Sequence, residues 1–355
     1  VPTLDRYDLY ACHVGPGYTR IVSEFYNIRT DAVLHVPMGS SVLVQDVSIT
    51  NLADKPLEID AIPVVEYSHF EALKQFTNAD WVPQTMQSRV VNEVDGSRVL
   101  LQYAFMRKGV AMNYLTSNLP ISSFESRRAQ FLGNGGYGTW AAPASLQEAE
   151  LANGEAHRGD NIGALLHHLG ELRPGETKRL ITLLGQAATL EQAIPEINRF
   201  RDGKQVDRSL ATLARFWDTY LSKLQVNTPD PDFDLMLNTY NPRQCYITMT
   251  WSRYLSLYQL GFGARGIGFR DTSQDVMGVV ANAPQETKAL LEKLLQIQRR
   301  DGSAFHQFNP LTMVANAGDS REVEDGPRYY GDDHLWVVLA VSAYLKETGD
   351  LALLD

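Results

Sequence analysis

The segment from Trp251 to Asp275 carries Arg253, Arg265, Arg270 and Asp271 around four glycines, Gly261, Gly263, Gly266 and Gly268. Glycines let a backbone come close to a ligand. An arginine offers a planar fork of donors, and an aspartate accepts from two neighbouring hydroxyls. Together these groups suit gripping a sugar ring. The same Arg–Asp pairing could equally close a loop as an ion pair, and the pattern alone does not decide between them. A dinucleotide fingerprint is excluded, because no parallel βαβ unit surrounds the glycines.

Two further clusters hold polar chemistry. In Asp301-Gly302-Ser303-Ala304-Phe305-His306-Gln307-Phe308-Asn309-Pro310, His306 stands among aromatics as either a satisfied core histidine or a ligand-facing group. In Tyr329-Tyr330-Gly331-Asp332-Asp333-His334-Leu335-Trp336, the paired carboxylates could serve acid–base or metal chemistry. Either aspartate could instead cap the helix that follows. No His/Cys/Asp grouping has metal spacing, and there is neither a nucleophile elbow nor a phosphate-cradling glycine loop.

The elements that must position these residues change character part-way along the chain. The first half predicts strands. Ser41–Thr50 alternates with a slip near Asp46, Leu57–Ile62 alternates again, Arg98–Phe105 is another strand candidate, and Pro174-Gly175 turns the chain into a strand over Lys178–Leu184. After Gly185 the period becomes helical. A helix is predicted over Val206–Leu224 with Asp207 as its N-cap, and Pro229 and Pro231 break the run. Further helices are expected over Phe233–Tyr258, Asp275–Val280, Gln285–Arg299 and Asp333–Glu347. Helices joined by Gly-containing loops fit a helical toroid, although a plain helical bundle would read the same way.

The 355 residues carry 44% hydrophobic and 10% aromatic side chains, enough for two or three domains with large cores. A net charge of -10 without a Lys/Arg stripe makes nucleic acid and anionic membrane poor partners. Cys12 and Cys245 have no redox or metal spacing, which suits a reducing cytoplasm. No stretch is apolar enough to span a bilayer, and both ends read as cuts within a longer protein.

Taken in order, several strings resemble glycoside hydrolase family 94, the inverting phosphorylases of β-linked glucosyl disaccharides. They are Gly266-Ile267-Gly268-Phe269-Arg270-Asp271-Thr272-Ser273-Gln274-Asp275, Asp301–Gln307, Asp332–Trp336 and Tyr344–Asp350. In the β half, Leu4–Tyr7, Gly15–Thr19, Phe131–Gly133 and Pro174–Glu176 join them. The resemblance implies an α+β multidomain fold: a β-sandwich over 1–188, a helical linker over 189–231, and the first part of an (α/α)6 barrel over 232–355. It implies phosphorolysis with inversion, with inorganic phosphate as co-substrate, no cofactor and no metal. Arg265 and Asp271 match glycone-binding residues, and Arg253 matches a residue near phosphate. The family's general acid, an Asp in a Trp-Asn-Asp-type motif, has no counterpart here, so it is expected beyond residue 355. Ala72–Gln84 and Gly318–Glu322 are closer to the cellobionic-acid and chitobiose branch. The expected substrates are therefore cellobionic acid, then N,N'-diacetylchitobiose, then cellobiose. A homodimer is also implied, and polar, Arg-bearing Ser123–Gln130 is its candidate contact or else an ordinary exposed loop. The competing expectations are a non-catalytic carbohydrate-binding fragment and the phosphorylase-like domain of a cyclic β-glucan synthase.

Overall fold

The computed structural model describes residues 6–67, 86–92, 97–104, 111–133, 140–253, 266–316 and 330–355. They fall into two compact units, Val1–Arg215 and Phe216–Asp355. Arg265 and all of Ala72–Gln84 and Gly318–Glu322 lie outside the described residues, as do Leu4 and Asp5.

The first unit is built on two antiparallel sheets. The larger has eight strands in the order β1-β2-β3-β4-β12-β9-β8-β7. These are β1 (Leu9–Gly15), β2 (Tyr18–Phe25), β3 (Ile28–His35), β4 (Val42–Asn51), β7 (Met86–Asn92), β8 (Arg98–Ala104), β9 (Met112–Ser117) and β12 (Thr177–Ala187). The smaller joins β10 (Ser123–Arg127), β11 (Asn161–Leu172) and β5 (Leu57–Ala61), with β6 (Val64–Glu66) also paired to β11. Strand alternation sends successive side chains to opposite faces. β1 stays largely exposed, while at β4, β12, β9 and β8 both faces of the large sheet are covered. On one, Val42, Val44, Val99, Leu101, Tyr114, Ile181 and Leu183 pack with Ala193, Ile197, Phe200 and Val206. These last four come from helices α1 (Leu190–Arg201) and α2 (Gly203–Leu221). On the other, Leu100 and Leu115 meet Phe124 and Leu165 of the smaller sheet, and Ile49 meets Ile59, Leu169 and Leu172.

Three expectations change here. The slip near Asp46 is no bulge, since β4 pairs without a register shift with β3 and β12. The buried positions switch from Val42 and Val44 to Ile49 because the helices cover one end of the strand and the small sheet covers the other. Asp207 does not cap α2. The helix starts four residues earlier at Gly203, where Asp202 Oδ1 accepts from Lys204 N at 2.9 Å. Asp207 instead shares the Arg179 guanidinium with Asp46, at 2.6 and 2.7 Å. Ser123–Gln130 is not a free polar loop. Ser123, Phe124, Glu125 and Ser126 are buried in β10, and Glu125 accepts from both Nε and Nη2 of Arg127 at 2.9 Å. Only Arg127–Gln130, the second half of the segment, keep exposed or partly exposed side chains.

The second unit is helical. It opens with Phe216, Trp217 and Tyr220 from the end of α2, whose rings cluster with Tyr246. Asp230 caps α3 (Pro231–Leu235), with Pro231 at its first position. The helical path continues through a π-type turn, α4 (Asn241–Ile247) and a second π-type turn to Ser252. Then come α5 (Phe269–Met277), α6 (Pro284–Ile297) and α7 (Asp333–Thr348). These three pack through Val276, Leu291, Leu294, Val337 and Ala340. A small antiparallel sheet of β13 (Ile267–Gly268), β14 (Gln307–Phe308) and β15 (Ala315–Asn316) stands at the start of α5. No helix among the described residues is long and apolar enough to cross a membrane.

Two tests follow from the first unit. A Cβ on Gly185 would run into the Tyr114 ring, whose hydroxyl donates to Glu196 at 3.0 Å. Gly185→Ala is expected to lower stability by about 1–3 kcal/mol in urea unfolding, as overpacking does. His168 bridges Glu150 at 2.8 Å and Asp60 at 2.7 Å. Hydrogen bonds to those two carboxylates raise its pKa from 6.5 to about 9. A histidine with a raised folded-state pKa contributes stability fully below its unfolded value and loses it as pH climbs through the folded one. Stability should therefore decline from about pH 6.5 to about pH 9, and His168→Gln should flatten that slope in a series of thermal melts.

Candidate active site

The site is organised by where α5 begins. Gly266 adopts φ +85, and a side chain there would collide with the Phe308 carbonyl, so only glycine permits this approach. It allows β13 to pair with β14, Gly268 opposite Gln307. Phe269 N then donates to the His306 carbonyl at 2.9 Å, and the helix begins at Phe269. The expected start at Asp275 is thus six residues late. Asp271 consequently lies in the first turn of α5, not in the glycine-rich loop. A carboxylate there is favoured by the helix dipole.

The helical start puts Asp271 and Asp275 one turn apart on one face. Both meet Arg253, which follows the second π-type turn. Asp275 takes the side edge of the guanidinium, with Nε donating to Oδ2 at 2.7 Å and Nη2 to Oδ1 at 3.2 Å. Asp271 Oδ2 stands 3.4 Å from Nη1. The Asp275 side chain is 8% exposed and that of Asp271 25%. Burial pushes the Asp275 carboxyl above the usual range, while the Arg253 hydrogen bond pulls it down. The same bond raises the Arg253 guanidinium, keeping it charged. Asp271 also folds back over Gly268, its Oδ2 lying 2.8 Å from where a Cβ would be.

The neighbouring residues separate into two pairs. Arg270 does not close on adjacent Asp271 but reaches Asp332, with Nη1 donating to Oδ2 at 3.0 Å. Trp336 Nε1 also donates to Asp332, at 3.3 Å. The Arg270 hydrogen bond holds the Asp332 carboxyl below its ordinary value. Asp333 is fully buried and accepts from His306 Nδ1 at 2.9 Å. Burial raises its carboxyl, against the pull of His306. Neither aspartate makes a side-chain cap to α7. Among the described residues, no three His, Cys, Asp or Glu side chains are grouped to hold a metal ion.

Of the residues singled out in the sequence, the structure brings Arg253 and Asp271 together, while Arg265 is outside the described residues. Asp275 and the His306–Asp333 pair were not assigned as site residues. The signal for Asp275 was its i, i+4 spacing from Asp271, which becomes readable only once the helix is started at Phe269.

Comparison with known proteins accounts for both units. The sequence profile of the glycosyl hydrolase 94 supersandwich domain matches residues 1–203, and that of the glycosyl hydrolase 94 superfamily catalytic domain matches 216–355. The chain belongs to glycosyl hydrolase family 94. It is 28% identical over 361 residues to an N,N'-diacetylchitobiose phosphorylase of Vibrio furnissii, covering 98% of this chain and 44% of that protein. It is 28% identical over 360 residues to a solabiose phosphorylase of Paenibacillus borealis, covering 99% and 42%. To a cellobionic acid phosphorylase of Neurospora crassa it is 21% identical over 353 residues, covering 99% and 42%. This family 94 chain thus spans less than half the length of these relatives, and its candidate site lies wholly within the part that matches the catalytic-domain profile.

The two carboxylates at Arg253 are distinguishable by stability. Asp275→Ala leaves a half-buried guanidinium without its bidentate partner and is expected to lower stability by about 3 kcal/mol. Asp271→Ala, more exposed and farther from Arg253, should lower it by less than about 1 kcal/mol. Equilibrium urea unfolding of the two variants checks the order.

Proposed function

We propose that this chain is the front part of an inverting phosphorylase that cleaves a β-linked glucosyl disaccharide with inorganic phosphate. What carries the reading is the fork of Arg253 between Asp271 and Asp275, in a chain whose two units both match family 94. In the reaction, a phosphate oxygen forms a bond to the anomeric carbon as the bond to the leaving oxygen breaks. A general acid donates its proton to that oxygen, and α-glucose 1-phosphate is released. Phosphate replaces the base-activated water of an inverting hydrolase, so one protein carboxyl suffices. That carboxyl is assigned to an Asp beyond residue 355. Asp332 and Asp333 are not candidates: the first is committed to Arg270 and Trp336, the second is buried against His306.

In this reading Asp271 and Arg265 grip the glycone, and Arg253 stands near the phosphate. Arg253 is already neutralised by Asp275, so further cations must help hold a dianion. The division into a sandwich over 1–188, a linker over 189–231 and the first part of an (α/α)6 barrel over 232–355 belongs to the same proposal, as do a homodimer and a cytoplasmic setting. The acceptor sugar is gluconate first, then N-acetylglucosamine, then glucose.

The test uses a protein that joins this chain to the remainder of the barrel. Phosphate release from α-glucose 1-phosphate is followed with each of those three acceptors. Release with none of them would overturn the reading. Asp271→Asn should lower kcat/KM by about 30- to 1,000-fold, or about 2–4 kcal/mol, for every donor that shares the glycone. Gly268→Ala displaces the Asp271 carboxylate without touching it chemically and should lower kcat/KM in the same direction. Melting temperatures close to wild type for both variants separate a sugar-binding role from a merely structural one.

A further inference from the structure

His306 is held on three sides. Its carbonyl accepts from Phe269 N at 2.9 Å. Its Nδ1 lies 2.9 Å from Asp333 Oδ2, and the ring of Tyr330 lies nearly parallel to its own, with centroids 3.9 Å apart at 28°. The side chain nevertheless remains 21% exposed. Nε2 has no hydrogen bond among the described residues. A buried carboxylate used only for packing would satisfy both of its oxygens. Asp333 Oδ1 has no partner among the described residues, and the bond that Asp333 makes through its other oxygen is to the imidazole. An Nδ1–H donated to a carboxylate leaves Nε2 as an acceptor.

His306 is joined through the backbone to the start of the helix that carries the sugar-binding candidate, since its carbonyl accepts from Phe269 N. Asp271 folds over Gly268, Gly268 pairs with Gln307 across β13 and β14, and His306 directly precedes Gln307. We propose that His306 is a further substrate contact of this site, its Nε2 accepting a hydrogen bond from a hydroxyl of the bound sugar, with Asp333 as the residue that positions it. A hydroxyl has a proton to give, whereas a phosphate dianion has none. The choice of a sugar as ligand rests on the glycosidase-family reading above; the geometry of the held histidine does not.

The test pairs two replacements with a set of deoxy-glucosyl donors in the completed enzyme. An Asn amide can stand in for Nδ1 and a Gln amide for Nε2. His306→Asn should keep the Asp333 contact and the melting temperature yet lose at least tenfold in kcat/KM. It should also lose the wild-type penalty for one deoxy position, because the protein half of that hydrogen bond is gone. His306→Gln should retain more activity than His306→Asn. Asp333→Asn, which reverses the donor at Nδ1, should lower kcat and shift its pH profile. A purely structural histidine gives the opposite order, with His306→Asn close to wild type in kcat/KM and deoxy response. A raised KM for phosphate with an unchanged deoxy response would also overturn the sugar assignment. If the wild type shows no phosphorolysis, the phosphorylase reading fails separately. The inference is then decided by 15N NMR of His306 in a glucose titration, where an unmoved Nε2 resonance at saturating sugar refutes it.

Discussion

One guanidinium between two carboxylates a helical turn apart sets the geometry of the site. Arg253 can meet Asp271 and Asp275 together only if α5 begins at Phe269. That start depends on the backbone bond from Phe269 to His306, on the pairing of Gly268 with Gln307, and on a glycine at position 266. A three-stranded sheet with two residues per strand is too small to be stable by itself. Here it is held by packing, since Ile267 and Phe308 are both buried in the same core as Val276 and Leu291. The core of the helical unit thereby fixes the positions of Asp271 and Asp275 against Arg253.

The sequence showed the kinds of element better than their limits. Leu57–Ile62, Arg98–Phe105 and Lys178–Leu184 correspond to β5, β8 and β12, and the helices after Pro284 and at Asp333 start within a residue of expectation. β12 follows the Pro174-Gly175 turn and α6 opens on a proline, while β8 is a short apolar run buried on both faces, with Val99 and Leu101 in one core and Leu100 in another. β4 was harder because its two ends are covered from opposite sides, so alternation broke while pairing did not. The start of α5 was hidden because Gly266 and Gly268 read as loop, whereas a long-range backbone bond ends the loop at Phe269. Such a bond leaves no local periodicity behind.

The site itself was legible in residue type and less so in arrangement. Arg253 and Asp271 were visible as a donor fork and an acceptor, but their meeting depends on the helical start. Arg270 and Asp271 are neighbours in sequence and still take different partners, because successive helical side chains point about 100° apart. Arg270 reaches out to Asp332 and Asp271 turns back over Gly268. Local ion pairing was the simpler reading of that dipeptide, and tertiary structure overrides it.

The same divergence explains Asp332 and Asp333. Two adjacent aspartates at a helix start look interchangeable as caps, yet one is about half exposed and the other fully buried. Arg270 stabilises the charge of the first, while burial works against the charge of the second. A carboxylate kept in a core at this disadvantage, bonded by one oxygen to a histidine, is poorly explained by packing, for which an apolar residue would serve at least as well. It is better explained by the orientation it imposes on His306. Since His306 directly precedes the strand facing Gly268 and its carbonyl holds Phe269 N, the buried pair and the Arg253 fork are tied to the same helix start. The fork presents charge at its edge, and in the proposed role the histidine presents a directional acceptor. A neutral polyol can use both, because each hydroxyl donates one hydrogen bond and accepts others. An isolated dianion can use only the cationic part, most of which Asp275 already occupies.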